Sequence, residues 1–316
     1  MLKIVVIGYG QMFANLISGC LESGHKVVGV LRHDKVIYDK VSLKIKDIFA
    51  PSNDKSFIDS LKLYEINANS VNSEEFKKEI IKLNPDIILV GSWSEKLKKT
   101  TIDLPKMACI NCHPSMLPKY RGPNPYAQVI INGEEKTGIT FHLMDSNFDT
   151  GAILHQAEVD ILPNDTGETL KSRCANTAKK EIAVLLNNLE TEIIIPIPQN
   201  ESAATYQKQL DAHDIILDFK KTSDEIDRKI RGLRPWLNCY IPYQNVFFKV
   251  DKYKIIDKDT KKIEPETIVK KGRNSLQIVC GDNKTIEFSN LKILGTAFFG
   301  TSIFINLFVK TNSKAN

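Results

Sequence analysis

Asn111 and His113 stand two residues apart in the stretch INCHPSMLPKYRGPNPY, at the end of a short apolar run. Along extended backbone, side chains at that spacing point to the same side, so an amide and an imidazole share one face of a strand. A later stretch, DSNFDTG, supplies Asp145 and Asp149 in a polar turn behind the strand-like GITFHLM. An amide can donate to a developing oxyanion, an imidazole titrates near neutral pH, and a carboxylate can orient or charge that ring. Singly, each has an ordinary structural use: Asn111 as a cap, His113 in a satisfied polar contact, Asp149 as a turn acid. Together they form a set suited to acyl transfer between two bound substrates, because a substrate that brings its own nucleophile needs no serine or cysteine from the protein.

Two other motifs carry less. Gly8-Tyr9-Gly10 has the start of a dinucleotide fingerprint, but position 13 is Phe13 rather than Gly or Ala. At the second strand Arg32 and His33 precede Asp34, so no clean acid closes it and NAD(P) binding is not expected. Cys109 and Cys112 form a CxxC pair, yet a separation of three in a strand puts them on opposite faces, and no second pair completes a zinc set. No metal site is expected.

The elements that must position the first set follow from hydrophobic pattern. LKIVVIG is a continuous apolar run ending in glycine, as for a central parallel strand covered on both faces. A helix over about 12–22, a strand at HKVVGVL, and strands at Leu61–Ile66, Asp86–Val90, Ala108–Asn111, Gly138–Met144 and Ala152–Val159 follow, with a helix near Ser73–Leu83. This alternation predicts a doubly wound sheet, with Asn111 and His113 at the carboxyl end of a strand, where such sheets bind ligands. Asp165 and Glu168 have capping-box spacing ahead of a long helix whose Leu170, Cys174, Ile182, Leu185 and Leu186 share a face and which ends near Leu189. Thr191–Ala204 reads as a linker. Thr222 with Glu225 starts a second helix, presenting Ile226, Ile230 and Leu233; short strands at NVFFKV, YKII, SLQIVC and TIEFSNLKIL then suggest a small barrel.

At 316 residues and 42% apolar content the chain is long enough for two soluble domains. The net charge of +5 is concentrated late, with 20 Lys/Arg against 14 Asp/Glu after residue 200. That surplus suits a phosphorylated or nucleic-acid partner, although a solvated Lys-rich surface is the commoner cause. MLKIVVIGYG reads directly as strand and turn, without a secretory signal, so a cytoplasmic protein with six reduced cysteines is expected. Ile293–Val309 is uncharged for 17 residues, short of a membrane span, and alternates in part like strands; a pair of core strands or a dimer contact is expected there.

Asn111-x-His113 with Asp149, HPSMLPKYRG beginning at the histidine and FDTG around the aspartate closely resemble the 10-formyltetrahydrofolate-dependent formyltransferase family. ATYQKQL, IDRKIRGLRPW and the strands beyond resemble the C-terminal domain of its methionyl-tRNA and amino-sugar branches. The resemblance implies an α/β formyltransferase fold: a Rossmann-like doubly wound sheet over 1–190, a linker over 191–204, and a small OB-like β-barrel domain over 205–316. It implies N-formyl transfer from 10-formyltetrahydrofolate, a co-substrate, to a primary amine, without a metal. Asn111 would donate to the oxyanion, His113 would take part in proton transfer, and Asp149 would hold the imidazole and move protons through water. The folate would lie against Gly91–Leu97, including Trp93, Ser94, Glu95 and Leu97, and against Asp145–Thr150, including Asp145, Phe148 and Asp149. Ser115, Lys119, Arg121 and Asn124 would face the acceptor. WSEKLKK stands where the family has YG-x-I-L-P, so Trp93 and Glu95 alter the folate wall. LRHDKVIYDKVSLKIKDIF is basic but lacks the Gly/Arg/Lys-rich signature of the methionyl-tRNA enzymes. The expected acceptor is therefore a nucleotide-linked amino sugar or similar small amine, ahead of charged initiator tRNA; a non-catalytic folate- or nucleotide-binding protein is disfavoured by the intact trio. No membrane span is expected, and a homodimer is compatible with this reading.

Overall fold

KIVVIG forms β1 (Lys3–Gly8), buried from its second residue onward. The helix α1 (Gly10–Glu22) then places Met12, Phe13, Leu16, Ile17 and Cys20 against the sheet at helical spacing. The computed structural model describes residues 1–37, 40–191, 193–256, 263–294 and 298–315. They fall into two units, Met1–Pro125 with Glu135–Ile161 and Thr169–Lys208, and Tyr126–Glu134 with Leu162–Glu168 and Gln209–Asn316.

In the first unit, β2 (Lys26–Arg32) is followed by three helices, α2 (Asp34–Ile37), α3 (Lys40–Phe49) and α4 (Asn53–Ser60). Next come α5 (Glu74–Leu83), β3 (Ile87–Gly91), the short α6 (Lys99–Ile102), β4 (Ala108–His113), β5 (Lys136–Leu143), β6 (Ile153–Asp160) and, beyond its first two residues, α8 (Gly167–Glu190); α7 (Pro125–Ile131) counts, after Pro125, with the second unit. The six strands form one sheet in the order β2-β1-β3-β4-β5-β6. The first four are parallel; β5 runs antiparallel to β4, and β6 to β5. Strand order reverses between β1 and β3, so a crevice opens at their carboxyl ends. Gly8 is required by close approach: a Cβ there would lie 2.1 Å from the Gly91 carbonyl oxygen of β3. Leu170, Cys174, Ile182, Leu185 and Leu186 of α8 are all fully buried, as their spacing predicts.

The amino end of α1, where a dinucleotide would place its phosphates, is closed by the chain itself. Both carboxylate oxygens of Asp54 accept the Gly10 N–H, at 3.0 and 2.9 Å. Burial holds the Asp54 pKa above its ordinary value, with the Gly10 N–H partly offsetting it. The expected strand at Leu61–Ile66 is a turn instead. Lys62 takes φ +52°, and only Glu65 bridges to Val30 of β2.

The second unit opens its main run with α9 (Ser223–Leu233). Thr222 and Glu225 form a complete capping box, and Ile226, Ile230 and Leu233 are buried. Among the described residues seven strands follow: β7 (Tyr240–Tyr243), β8 (Val246–Lys249), β9 (Lys252–Ile256), β10 (Ile268–Gly272), β11 (Ser275–Val279), β12 (Thr285–Ser289) and β13 (Lys292–Ile293). They pair antiparallel in a four-stranded sheet, β10-β11-β12-β9, and a three-stranded sheet, β13-β8-β7. Their inward faces share one core with α9, including Phe219, Ile241, Phe248, Ile278, Ile286 and Phe288.

Ile293–Val309 is not the expected pair of strands. Among its described residues Lys292–Ile293 is extended and Phe298–Leu307 forms α10, which buries Thr301 and Ile305. Lys271 Nζ donates to the carbonyls of Ile305, Asn306 and Val309, placing a cation at the negative end of that helix. Among the described residues no helix is long and apolar enough to cross a membrane.

Replacing the cap by Thr222→Ala should lower stability by about 1 kcal/mol in urea unfolding; an unchanged midpoint would show that the capping box does not hold α9.

Candidate active site

β4 carries Asn111 and His113 to the carboxyl edge of the sheet, and its antiparallel partner β5 sets His142 directly opposite Asn111. After β5 the chain turns sharply. Asp145 closes the turn by accepting from the Asn147 N–H at 2.8 Å and from Thr150 Oγ1 at 2.7 and 2.8 Å. Asp149 takes the left-handed conformation, φ +57°, which aims its side chain back over β4. Gly151 lets the turn rejoin β5, since a Cβ would stand 1.8 Å from the Leu143 carbonyl oxygen. Gln199 fixes the backbone from outside, its Nε2 donating to the carbonyls of Asp149 and Gly151 at 2.8 and 2.7 Å.

The result is a convergence on one oxygen. Asp149 Oδ1 lies 3.3 Å from Asn111 Nδ2, 3.5 Å from His113 Nδ1 and 3.6 Å from His142 Nε2. Its other oxygen accepts the Gly122 N–H at 2.9 Å. Burial alone would push this carboxyl up, but His113, His142 and the Gly122 N–H outweigh it and hold the pKa far below the usual carboxylate range. Asp149 is ionised at any working pH.

The proton positions follow from the carbonyl partners, which can only accept. His142 Nδ1 is 2.8 Å from the Leu143 oxygen, so it carries the proton, and its Nε2 accepts from Asn111 Nδ2 at 3.1 Å. His113 Nε2 is 2.8 Å from the Tyr120 oxygen and is likewise the protonated nitrogen. His113 Nδ1, facing Asp149, is then the basic one. Burial pulls the His113 pKa below its ordinary value; Asp149 and the Tyr120 carbonyl only partly offset that, so the ring is neutral at neutral pH. The pair is a neutral base beside a fixed anion, an arrangement that favours picking up a proton at Nδ1 once one is offered.

The other expected residues are distributed unevenly. On the Gly91–Leu97 side, Trp93 meets His33 edge-on with centroids 5.3 Å apart, and Ser94 Oγ lies 2.7 Å from His33 Nε2. The indole Nε1 of Trp93 is buried without a hydrogen-bond partner among the described residues. Glu95 turns inward, accepting from Ser70, from the Val71 N–H and from Asn72 Nδ2. Leu97 is a core residue, 2% exposed. Phe148 is 56% exposed, with Lys96 Nζ 5.5 Å from its ring centre.

On the expected acceptor side, Lys119 is exposed, and Asn124 is half-buried with φ +58°. Ser115 is fully buried and donates to the Lys119 carbonyl at 2.7 Å. Arg121, expected to face an acceptor, is instead fully buried. Its guanidinium makes five hydrogen bonds, to Gln199, Glu201 and Tyr206, which occupy all its N–H groups. It anchors Gln199 and thereby the Asp149 turn. His142 and Gln199 escaped the sequence reading. The alternation of GITFHLM carried a signal for His142, since antiparallel pairing with ACINCH brings it to the same edge, but nothing local marks Gln199. Among the described residues no group of three or more His, Cys, Asp or Glu is placed to hold a metal ion.

A family model described as formyl transferase matches residues 2–187, and one described as formyl transferase, C-terminal domain, matches residues 209–307. A methionyl-tRNA formyltransferase of Caldanaerobacter subterraneus is 31% identical over 283 residues, covering 89% of each chain. One of Clostridium novyi is 35% identical over 224 residues, covering 70% of this chain and 72% of that one. Among solved structures, the N-formyltransferase of Helicobacter canadensis, in complex with folinic acid and dTDP-3-aminofucose, shares the fold. It matches with TM-score 0.68 and 21% identity, covering 92% of this chain and 99% of that one.

Gln199→Ala removes both donors to the Asp149 turn without touching the trio. It should lower kcat by about 10²-fold with a smaller change in KM, because a displaced carboxylate costs alignment more than binding; equal kcat in steady-state kinetics would remove Gln199 from the account.

Proposed function

The chain belongs to the formyl transferase family, and on that premise we propose that it carries the formyl group of 10-formyltetrahydrofolate to the primary amine of a nucleotide-linked amino sugar or a similar small amine. The observation behind the chemistry is the approach of Asn111, His113 and Asp149 within 3.3–3.5 Å at the sheet edge. The donor brings an activated formyl carbon; the chain has to orient it, receive a proton and stabilise charge.

Asn111 is the donor to the formyl oxygen. Its two amide hydrogens are engaged by His142 at 3.1 Å and Asp149 at 3.3 Å, and the longer bond is the one to exchange for a substrate oxygen. His113 Nδ1 receives the amine proton, and the ionised Asp149 stabilises the resulting imidazolium. As the C–N bond to tetrahydrofolate breaks, one proton returns to the leaving nitrogen, so the net exchange is amine and formyl donor for formamide and tetrahydrofolate. The wall at Trp93, Ser94 and Phe148 fits a heteroaromatic donor on one specific ground. The buried Trp93 N–H has no acceptor among the described residues, and a ring nitrogen or carbonyl would satisfy it. Asp145 would shape the same wall through its turn, and Lys119 and Asn124 would face the acceptor.

The preference for a small acceptor is supported by the segment after β2. There much of the described positive charge is paired within the fold: Arg32 meets Asp34, Asp47 and Glu65, Lys46 meets Asp34, and Lys55 meets Asp59, while Lys44 is exposed. A segment folded this way offers less to a nucleic-acid backbone than a free basic arm would. The second reading, charged initiator tRNA as acceptor, is favoured by the relatives at 31% and 35% identity, both named methionyl-tRNA formyltransferases.

Purified protein incubated with 10-formyltetrahydrofolate and a panel of amines, with tetrahydrofolate absorbance followed, separates the readings. Turnover with nucleotide amino sugars but not with charged initiator tRNA is expected; the reverse establishes the second reading, and silence with every acceptor contradicts both. His113→Ala should keep folate binding while turnover falls by about 10²–10⁴-fold, and unchanged turnover would deny the base role. Because the His113 pKa is lowered from 6.5, its basic form persists above that value. Turnover should therefore hold from neutral pH down to 6.5 and fall only below it; an acid limb above pH 7 would contradict the assignment.

A further inference from the structure

Lys249 of β8 and Lys292 of β13 are directly opposed cross-strand partners. Like charges in that position repel, and among the described residues neither lysine has a carboxylate within ion-pair distance. Both line a cavity of about 290 Å³ in the second unit, together with Arg234, Asn238, Asp251 and Asn290. Arg234 is held in place rather than neutralised: it donates to the Asp251 carbonyl, and its guanidinium carbon lies 5.6 Å from the centre of the Tyr253 ring. The single acid, Asp251, is turned to Asn290 Nδ2. Three cations and one anion thus surround a concave space, with side-chain amides beside them.

We propose that this cavity is a phosphate-binding site. An oxyanion between Lys249 and Lys292 converts a repulsive pair into a chelating one, and Arg234 adds the planar donor set that phosphate oxygens favour. The volume lies at the small end of ligand pockets, about 300–1,000 Å³, which suits a phosphate or pyrophosphate group with little attached. Two sources share this chemistry, a small phosphorylated molecule and a phosphodiester backbone. The inference does not depend on which amine the first unit formylates, since it rests on second-unit residues alone.

The test uses the full chain, with inorganic pyrophosphate and a short RNA hairpin as probes, at fixed ionic strength with chloride as control. Pyrophosphate should raise the Tm of the wild-type protein and bind measurably by calorimetry, and the double variant Lys249→Gln/Lys292→Gln should lose at least tenfold in affinity. Without any probe, Lys292→Gln alone should be at least as stable as the wild type, because a repulsion has been relieved. If the hairpin displaces pyrophosphate and is itself weakened by the double variant, the source is a backbone; if it does neither, the source is a small molecule. A wild-type protein that does not bind pyrophosphate, or a double variant that binds it equally well, overturns the proposal.

Discussion

A carboxylate that stays ionised while largely surrounded by protein must be compensated by donors arranged before any ligand arrives, and the edge of the first sheet is organised around that requirement at Asp149. Its oxygens accept from an amide of β4 and a backbone N–H of the 122 turn, and imidazoles from β4 and β5 lie 3.5 and 3.6 Å from one of them, able to share charge with it. The Gly122 N–H at 2.9 Å is an ordinary hydrogen bond, and the contacts of Oδ1 are longer, at 3.3–3.6 Å. The sum holds it far below its usual range against the cost of burial. Once the anion is fixed, the rest follows: His113 can remain neutral at rest and still be stabilised when it takes a proton.

Holding the anion also explains architecture that has no chemistry of its own. The left-handed Asp149, the glycine at 151, the Asp145 turn and the Gln199 clamp are successive layers of support, and Arg121 spends its whole donor set on the outermost one. On the opposite side of the crevice, Asp54 fills the α1 terminus that a dinucleotide would otherwise use. The carboxyl edge that gathers Asn111, His113, His142 and Asp149 lies at β4 and β5 rather than at the β1 turn.

Much of this was legible in the sequence where a residue's role is local. The apolar runs of β1 and β3, the buried face of α8 and the Thr222–Glu225 capping box all obey short-range periodicity. The Asn111-x-His113 spacing is of the same short-range kind, and both residues lie on β4 near Asp149. What was not legible depends on distant pairing. Arg121 looked like an exposed base next to glycine, and only its contacts with residues about 80 positions later make it an anchor. His142 gains its meaning from register with Asn111. Two strands were passed over because they are edges, β7 with Pro242 and β10 with paired lysines, which are the residues that protect sheet edges from further pairing. Ile293–Val309 differs from the expected strands because its Thr, Ser and Gly positions look like strand punctuation, whereas Thr301 is buried within α10, its hydroxyl oxygen accepting the Ile293 N–H of β13 at 2.8 Å.

The central claim is that His113 rests neutral, with its proton on Nε2 and its lone pair on Nδ1 beside an ionised Asp149. Nitrogen-15 NMR of the histidine side chains, titrated through neutral pH and assigned with a His113→Gln variant, measures this directly. The account predicts the Nε2–H tautomer at pH 7 and a pKa below 6.5; a ring protonated on both nitrogens at pH 7, or the opposite tautomer, would contradict it.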